Sequence, residues 1–207
     1  MPAYATWQEV YRQHGHELDL PLWASGVGHG PGASSFDPHG HLERLTGRAL
    51  DREELRRWRR PRTDALIEAE LIRPGVETYL AEARRRGLRL AVASSSPLDW
   101  VEGHLIRLGL RDAFEYLSCA GGELRGKPWP DVYLGALRAL GVAGREAIAL
   151  EDSPTGVAAA KEAGIFAVAV PNRITAGLDF EKADLRVESL EELPLGELIA
   201  RAEAIAR

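Results

Sequence analysis

The sequence holds one cysteine, three lysines and no long apolar run, and these shortages exclude several classes of protein. Because Cys119 has no partner within the chain, no internal disulfide can form, and a reducing, cytoplasmic compartment is expected. No apolar run approaches the ~20 residues that a membrane-spanning helix needs, and the first residues lack the basic and then apolar stretches of a signal peptide. We therefore expect a cytoplasmic protein that has no membrane partner.

Positive charge is also in short supply. Lys and Arg number 26 against 31 Asp and Glu, which gives a net charge of −5 and leaves no basic excess to bind a nucleic-acid backbone. A small anionic partner is still compatible with this balance, because one pocket can be positive on an acidic protein. Arginines cluster between Arg52 and Arg62. We interpret this cluster as a solvated helix face, with anion binding as the alternative.

The hydrophobic pattern changes near residues 73–75. Before this point the spacing of apolar residues is helical, with Pro61 expected to interrupt an Arg-rich helix over 51–60. After it, amphipathic helices alternate with four short apolar runs, at 88–94, 114–119, 147–150 and 165–170. Such alternation is typical of a parallel sheet covered on both faces. The sequence therefore predicts a helical unit over 1–72 and an α/β unit over 73–207 with a doubly wound parallel sheet.

Polar side chains follow three of the apolar runs at the point where each run ends. Ser94–Ser96 follow the first, a Gly-rich loop leads from the second to Lys127, and Glu151 and Asp152 follow the third. Because ligands bind beyond the carboxyl ends of parallel strands, we expect these groups at one edge of the sheet. Hydroxyl and backbone N–H groups can hold phosphoryl oxygens, an ammonium group offsets negative charge, and two carboxylates suit Mg²⁺.

Each of these groups also has a structural interpretation. Ser94 could cap the following helix, Lys127 could be an exposed loop residue, and Asp152 with Ser153 could form a helix start. However, a buried strand that ends in two carboxylates is costly unless a cation or hydrogen-bond donors compensate them. The three groups, each at a strand end, therefore favour a phosphate site over separate structural roles.

The residues around these groups resemble the motifs of the haloacid dehalogenase superfamily, and more narrowly those of its β-phosphoglucomutase-like phosphatases. Residues 150–164 resemble the fourth motif, with Leu-Glu-Asp-Ser-Pro-Thr-Gly-Val at their start and Glu-Ala-Gly at their end. Residues 126–131, Gly-Lys-Pro-Trp-Pro-Asp, resemble the third, although an alanine is commoner at Trp129. Residues 91–96 resemble the second motif, and residues 4–72 resemble the inserted helical cap.

The resemblance implies a role for each candidate residue. Ser94 would bind the phosphoryl group, Lys127 would bridge the phosphate and the nucleophile, and Asp152 would ligate Mg²⁺. Glu151 is implied as a second ligand or as a partner of the ligand. Further implied contacts to the substrate are Ser95, Ser96 and, in the loop of the cap, His29.

The sequence departs from the family pattern at two places. The first motif of the family, Asp-x-Asp at the end of the first strand, carries the nucleophile and the general acid and base, and no Asp-x-Asp occurs in residues 1–207. The resemblance places that strand between those near 88–94 and 146–151. We expect that a misplaced start codon omits it, the alternative being a truncated, inactive protein. In addition, Pro97 stands where related mutases have a lysine, and residues 1–126 contain no lysine.

These observations together predict a function. The full-length form is expected to be an Mg²⁺-dependent phosphatase of small phosphorylated metabolites, with sugar phosphates favoured, that works through an aspartyl-phosphate intermediate. The 207-residue chain itself is expected to be inactive. A β-phosphoglucomutase-like phosphomutase and a non-catalytic phosphate-binding protein are the alternatives, and the chain is expected to be a monomer or a weak homodimer.

Overall fold

The computed structural model describes residues 1–26 and 36–205, which form two compact units. The first comprises residues 1–71 with 173–178, and the second comprises residues 72–172 with 179–207. Among the described residues, none of the helices combines the length and the apolar character that crossing a membrane requires.

The first unit is built from helices. They are α1 (Pro2–Gln13), α2 (Leu20–Ser25), α3 (Pro38–Thr46) and α4 (Arg52–Glu68). The side chain of Asp51 caps α4 by accepting hydrogen bonds from the backbone N–H groups of Glu53 (2.8 Å) and Glu54 (3.1 Å). The core of this unit consists of Tyr4, Trp7, Val10, Tyr11, Leu18 and Leu42.

The expected interruption at Pro61 is wrong, because α4 runs through it without a break. Proline removes one backbone donor within a helix and leaves the carbonyl four residues earlier without its partner. Here that carbonyl belongs to Arg57, and both residues are exposed. Water can therefore satisfy the freed carbonyl, and the helix continues.

The second unit alternates helices and strands, as the sequence predicts, although three of the four predicted strands are shorter than their apolar runs. In chain order its elements are α5 (Val76–Arg85), β1 (Ala91–Ser94), α6 (Leu98–Arg107), β2 (Tyr116–Cys119), α7 (Asp131–Leu140), β3 (Ile148–Glu151), α8 (Pro154–Glu162), β4 (Phe166–Ala169), β5 (Leu185–Arg186) and α9 (Leu195–Ile205). Its main core packs α5 and α9 against β4 and includes Tyr79, Ala83, Val168, Val170, Val187, Leu193, Leu195 and Leu198.

Among the described residues, the named strands pair in parallel and form two hydrogen-bonded groups. In the first, β1 pairs with β2, with Ala91 opposite Tyr116. In the second, β4 lies between β3 and β5, with Ile148 opposite Phe166. In the part of the chain that the structure describes, β1 and β3 therefore each have a single strand partner.

A groove of about 1270 Å³ runs between the two groups of strands. Residues 91–93 of β1 line it on one side and residues 148–150 of β3 on the other. Leu150 is 43% exposed, which is unusual in a parallel strand, since such strands are normally covered on both faces. The facing edges of β1 and β3 can thus accept a further strand.

Candidate active site

The serine loop after β1 is connected to the loop that carries Lys127. The hydroxyl of Ser94 accepts a hydrogen bond from the backbone N–H of Ser96 (3.0 Å), which stabilises the turn. Ser94 does not cap α6, whose N-cap is Pro97. The hydroxyl of Ser95 accepts a hydrogen bond from the backbone N–H of Lys127 (2.9 Å). Two of the groups predicted at the strand ends are therefore in direct contact.

The side chain of Lys127 joins this loop to the end of β3. Its ammonium group forms an ion pair with Glu151, and the side chains of the two residues are only 15% and 4% exposed. The hydroxyl of Tyr133, on α7, donates to the same carboxylate oxygen, Oε1 of Glu151. The ammonium nitrogen also lies 5.3 Å from the centroid of the Tyr133 ring. The desolvation cost of the buried carboxylate is thus offset by a cation and a hydroxyl donor.

Tyr133 remains a hydrogen-bond donor in this environment. Burial, followed by the negative charge of Glu151, raises the pKa of its hydroxyl far above the usual range. The proton therefore stays on the phenol at physiological pH and holds the carboxylate in place. Tyr133 could not be predicted as a site residue, because a tyrosine within an amphipathic helix gives no signal other than that of a core residue.

The first turn of α8 closes the other side of Glu151. Ser153 caps this helix by accepting a hydrogen bond from the backbone N–H of Gly156 (3.1 Å). A Cβ atom at position 156 would lie 1.9 Å from Oε2 of Glu151. The close approach of helix and carboxylate therefore depends on glycine at this position.

Asp152, the next residue, points to a different environment. It is exposed, and its Oδ2 accepts a hydrogen bond from the side-chain amide of Asn172 (2.8 Å). Asn172 was not among the predicted site residues either, although it follows β4 closely. The rule that directed attention to the ends of β1, β2 and β3 would have found it there.

The two carboxylates differ in how well they fit Mg²⁺. No cluster of three or more His, Cys, Asp or Glu side chains suited to a metal occurs among residues 1–26 and 36–205. Mg²⁺ needs only one or two carboxylates, with water and phosphate oxygens completing its shell. The exposed carboxylate of Asp152 fits the role of such a Mg²⁺ ligand. Glu151 directs Oε1 to Lys127 and Tyr133, and this arrangement suits the implied role of partner better than that of ligand.

The structure brings most of the predicted groups to one groove. Lys127, Glu151 and Asp152 all line the groove between β1 and β3. Ser95 is linked to Lys127 by the hydrogen bond described above. His29 lies outside the described residues, so its predicted contact with substrate stays a prediction.

A fold of parallel strands with a lysine, a carboxylate pair and a serine loop at their ends is shared with a known class of hydrolases. The profile of the haloacid dehalogenase-like hydrolases matches residues 20–164. The chain belongs to this family.

Several relatives fall within the same class. The Bacillus subtilis protein YhcW is 43% identical over 196 residues, which cover 95% of this chain and 88% of YhcW. The validoxylamine A 7'-phosphate phosphatase of Streptomyces hygroscopicus subsp. limoneus is 30% identical over 90% of this chain and 85% of its own length. Hexitol phosphatase B of Escherichia coli is 36% identical over 64% of this chain and 60% of its own length.

Solved structures show the same fold. CbbY from Rhodobacter sphaeroides in complex with phosphate has a TM-score of 0.70 and 30% identity, covering 96% of this chain and 92% of CbbY. The β-phosphoglucomutase of Clostridium difficile has a TM-score of 0.72 and 25% identity, covering 100% and 92% of the two chains. The predicted family and the predicted α/β fold are therefore confirmed.

Proposed function

We propose that this hydrolase is an Mg²⁺-dependent phosphatase of small phosphorylated metabolites, with sugar phosphates as the favoured class. The observation that carries the proposal is the buried ion pair between Lys127 and Glu151, which fixes an ammonium group at the carboxyl edge of the strands. Two relatives, a hexitol phosphatase and a phosphatase of validoxylamine A 7'-phosphate, support the substrate class.

The candidate residues suit the chemistry of phosphoryl transfer. Ser94 and the backbone N–H groups after it would hold the phosphoryl oxygens. The Lys127 ammonium would offset the negative charge that builds up on these oxygens during transfer. Asp152 would hold Mg²⁺, which when bound neutralises further charge on the phosphoryl group. Glu151 and Tyr133 would keep the lysine in place.

We further propose that the nucleophile is an aspartate on a parallel strand that occupies the groove between β1 and β3. Two features support this placement: the edges of both strands that have no strand partner among the described residues, and the exposed Leu150. A strand running parallel to β1 and β3 would end near Lys127 and Asp152, which line the groove. Its aspartate would attack phosphorus, form an aspartyl phosphate and release the alcohol, and water would then hydrolyse that intermediate. The helical unit would serve as the cap.

The experiment compares the 207-residue chain with a version extended by the residues encoded in frame upstream of Met1. Both are incubated with Mg²⁺ and a panel of hexitol and hexose phosphates, and free phosphate is measured. We expect turnover only from the extended protein, and its loss when EDTA removes Mg²⁺. A Lys127→Met variant of the extended protein lacks the ammonium group of the site, and we expect it to lose turnover.

The outcomes separate the alternatives. Turnover by the 207-residue chain would contradict the proposed strand-borne nucleophile. An isomeric sugar phosphate without free phosphate would identify a phosphomutase. If neither protein turns over substrate but both bind phosphate, the chain is a non-catalytic phosphate-binding protein.

A further inference from the structure

One arginine of α4 lies in a different environment from its neighbours. Several of the arginines between 52 and 62 are exposed and pair with carboxylates, namely Arg52 with Asp37 (3.0 Å), Arg56 with Glu53 (3.6 Å) and Arg60 with Asp64 (3.8 Å). Arg59 is partly buried, and none of the carboxylates in the described part of the chain forms an ion pair with it. It is therefore a cation that has lost part of its hydration without gaining a counter-charge.

The guanidinium group of Arg59 lies between α1 and α4. Its central carbon sits 4.0 Å above the centroid of the Trp7 ring. One terminal nitrogen donates to the hydroxyl of Thr6 (3.3 Å), a residue that is fully buried. The Nε–H is buried and has no hydrogen-bond partner among the described residues. Of the five N–H groups that a guanidinium carries, the structure gives a partner to one.

The neighbouring hydroxyls cannot neutralise this cation. Thr6 donates to the carbonyl of Ala3 (3.2 Å), and Thr63 donates to the carbonyl of Arg59 (3.0 Å). The two hydroxyl oxygens lie 3.0 Å apart, and because each hydroxyl is neutral and carries a single proton, neither supplies a negative charge to the guanidinium. Burial lowers the pKa of Arg59 to about 10, and the group therefore stays charged at physiological pH.

We propose that Arg59 forms the centre of an oxyanion-binding site between α1 and α4, which takes the phosphate or carboxylate group of a small metabolite. A planar guanidinium binds both kinds of group through paired N–H donors. A bound oxyanion would supply the missing counter-charge and accept from N–H groups that now lack partners. This inference goes beyond the proposed phosphatase activity and needs neither Mg²⁺ nor the nucleophile.

The site is tested on the 207-residue chain with inorganic phosphate and, separately, with acetate. Each is added in EDTA at constant ionic strength, because salt screens exposed charges. The signal is the indole N–H resonance of Trp7, assigned with a Trp7→Phe variant. We expect a saturable shift with phosphate, acetate or both, and these two arms distinguish the two sources of oxyanion.

Three variants test whether Arg59 is responsible for anion binding. Arg59→Met should weaken binding about 10- to 100-fold, as expected for the loss of charge-assisted hydrogen bonds. Arg60→Met, at the adjacent exposed position, is the matched control and should bind like the parent. If Arg59→Met fails to fold, Arg59→Lys keeps the charge without the planar fork and should still bind more weakly than the parent.

Two results would overturn the inference. One is the absence of a saturable Trp7 shift with either anion, and the other is equal affinity in the parent and a folded Arg59 variant. An Asp152→Asn variant, changed at an exposed side chain of the proposed phosphatase site, keeps the two tests apart, since its Trp7 shift should be unchanged. A negative phosphatase assay would not contradict the anion site at Arg59, and a negative Trp7 titration would not contradict the proposed phosphatase activity.

Discussion

Replacement of Gly156 by alanine tests how closely the first turn of α8 packs against the carboxylate of Glu151. The added Cβ atom would lie 1.9 Å from Oε2 and 2.2 Å from Cδ of this carboxylate. Both distances are far below van der Waals contact, so the carboxylate or the first turn of α8 must move. Because Glu151 is held by Lys127 and Tyr133, its movement breaks those contacts as well.

The size of the effect can be worked out from these contacts. Overpacking a filled site costs about 1–3 kcal/mol, and a lost hydrogen bond to a charged group costs about 1.5–3 kcal/mol. The better helix propensity of alanine returns at most about 1 kcal/mol. We therefore expect Gly156→Ala to lower the free energy of unfolding by about 3 kcal/mol, which corresponds to a fall in Tm of about 6–12 °C for a chain of this size.

The assay is thermal unfolding of the 207-residue chain followed by circular dichroism, with Gly103→Ala as the matched control. Gly103 is exposed within α6, and a Cβ atom there would meet nothing within 4 Å. Its replacement should stabilise the protein by about 0.4–1 kcal/mol. In a Glu151→Ala background, Gly156→Ala should cost much less, because the obstructing carboxylate is gone. A Gly156→Ala variant as stable as the parent would refute the close packing that we describe.

Two further predictions concern ion pairs of the α/β unit. Lys127→Met leaves the buried carboxylate of Glu151 without its cation and should lower the free energy of unfolding by about 3–5 kcal/mol. The double variant with Glu151→Gln should recover part of this loss. A denaturant titration that shows no recovery would argue against the ion pair. The Asp131 carboxylate accepts from Arg125, and this hydrogen bond, the largest cause, lowers the pKa of Asp131 to about 2. Since the pKa is lowered by folding, the stabilisation is present above the usual value of 3.8 and is lost as the pH falls towards about 2. The Tm difference between the parent and Asp131→Asn should shrink over that interval, and a constant difference would contradict the assignment.

The part of the site that could be predicted from sequence is the part set by strand ends. Lys127, Glu151 and Asp152 each follow a short apolar run, and parallel strands bring such residues to one edge whatever their separation along the chain. Tyr133 could not be found in this way, because its role arises from a tertiary contact, the hydrogen bond from its hydroxyl on α7 to Glu151 at the end of β3. The continuation of α4 through Pro61 also depends on a property that sequence does not show, namely which side of the helix faces water.

The existence and the ends of short strands are also difficult to predict from sequence. β5 has two residues, Leu185–Arg186, which is too few to show a periodic pattern. The four predicted strands have four residues each, so β1, β2 and β4 are shorter than the apolar runs that indicated them, and β3 is shifted by one residue from its run at 147–150. Their ends are set by where the parallel ladders stop, and this is a property of pairs of strands rather than of either sequence alone.

The facing edges of β1 and β3 have a consequence for how accurately a reactive group can be placed. A strand seated between them would be held by two ladders at once, one to each neighbour. Sliding it by a single residue would misalign both ladders and turn every side chain to the opposite face. The two ladders would therefore fix the register of the inserted strand, and with it the residue that lies beside Lys127. Substitutions among the side chains that line the groove would change how tightly that strand is held far more than which residue it presents.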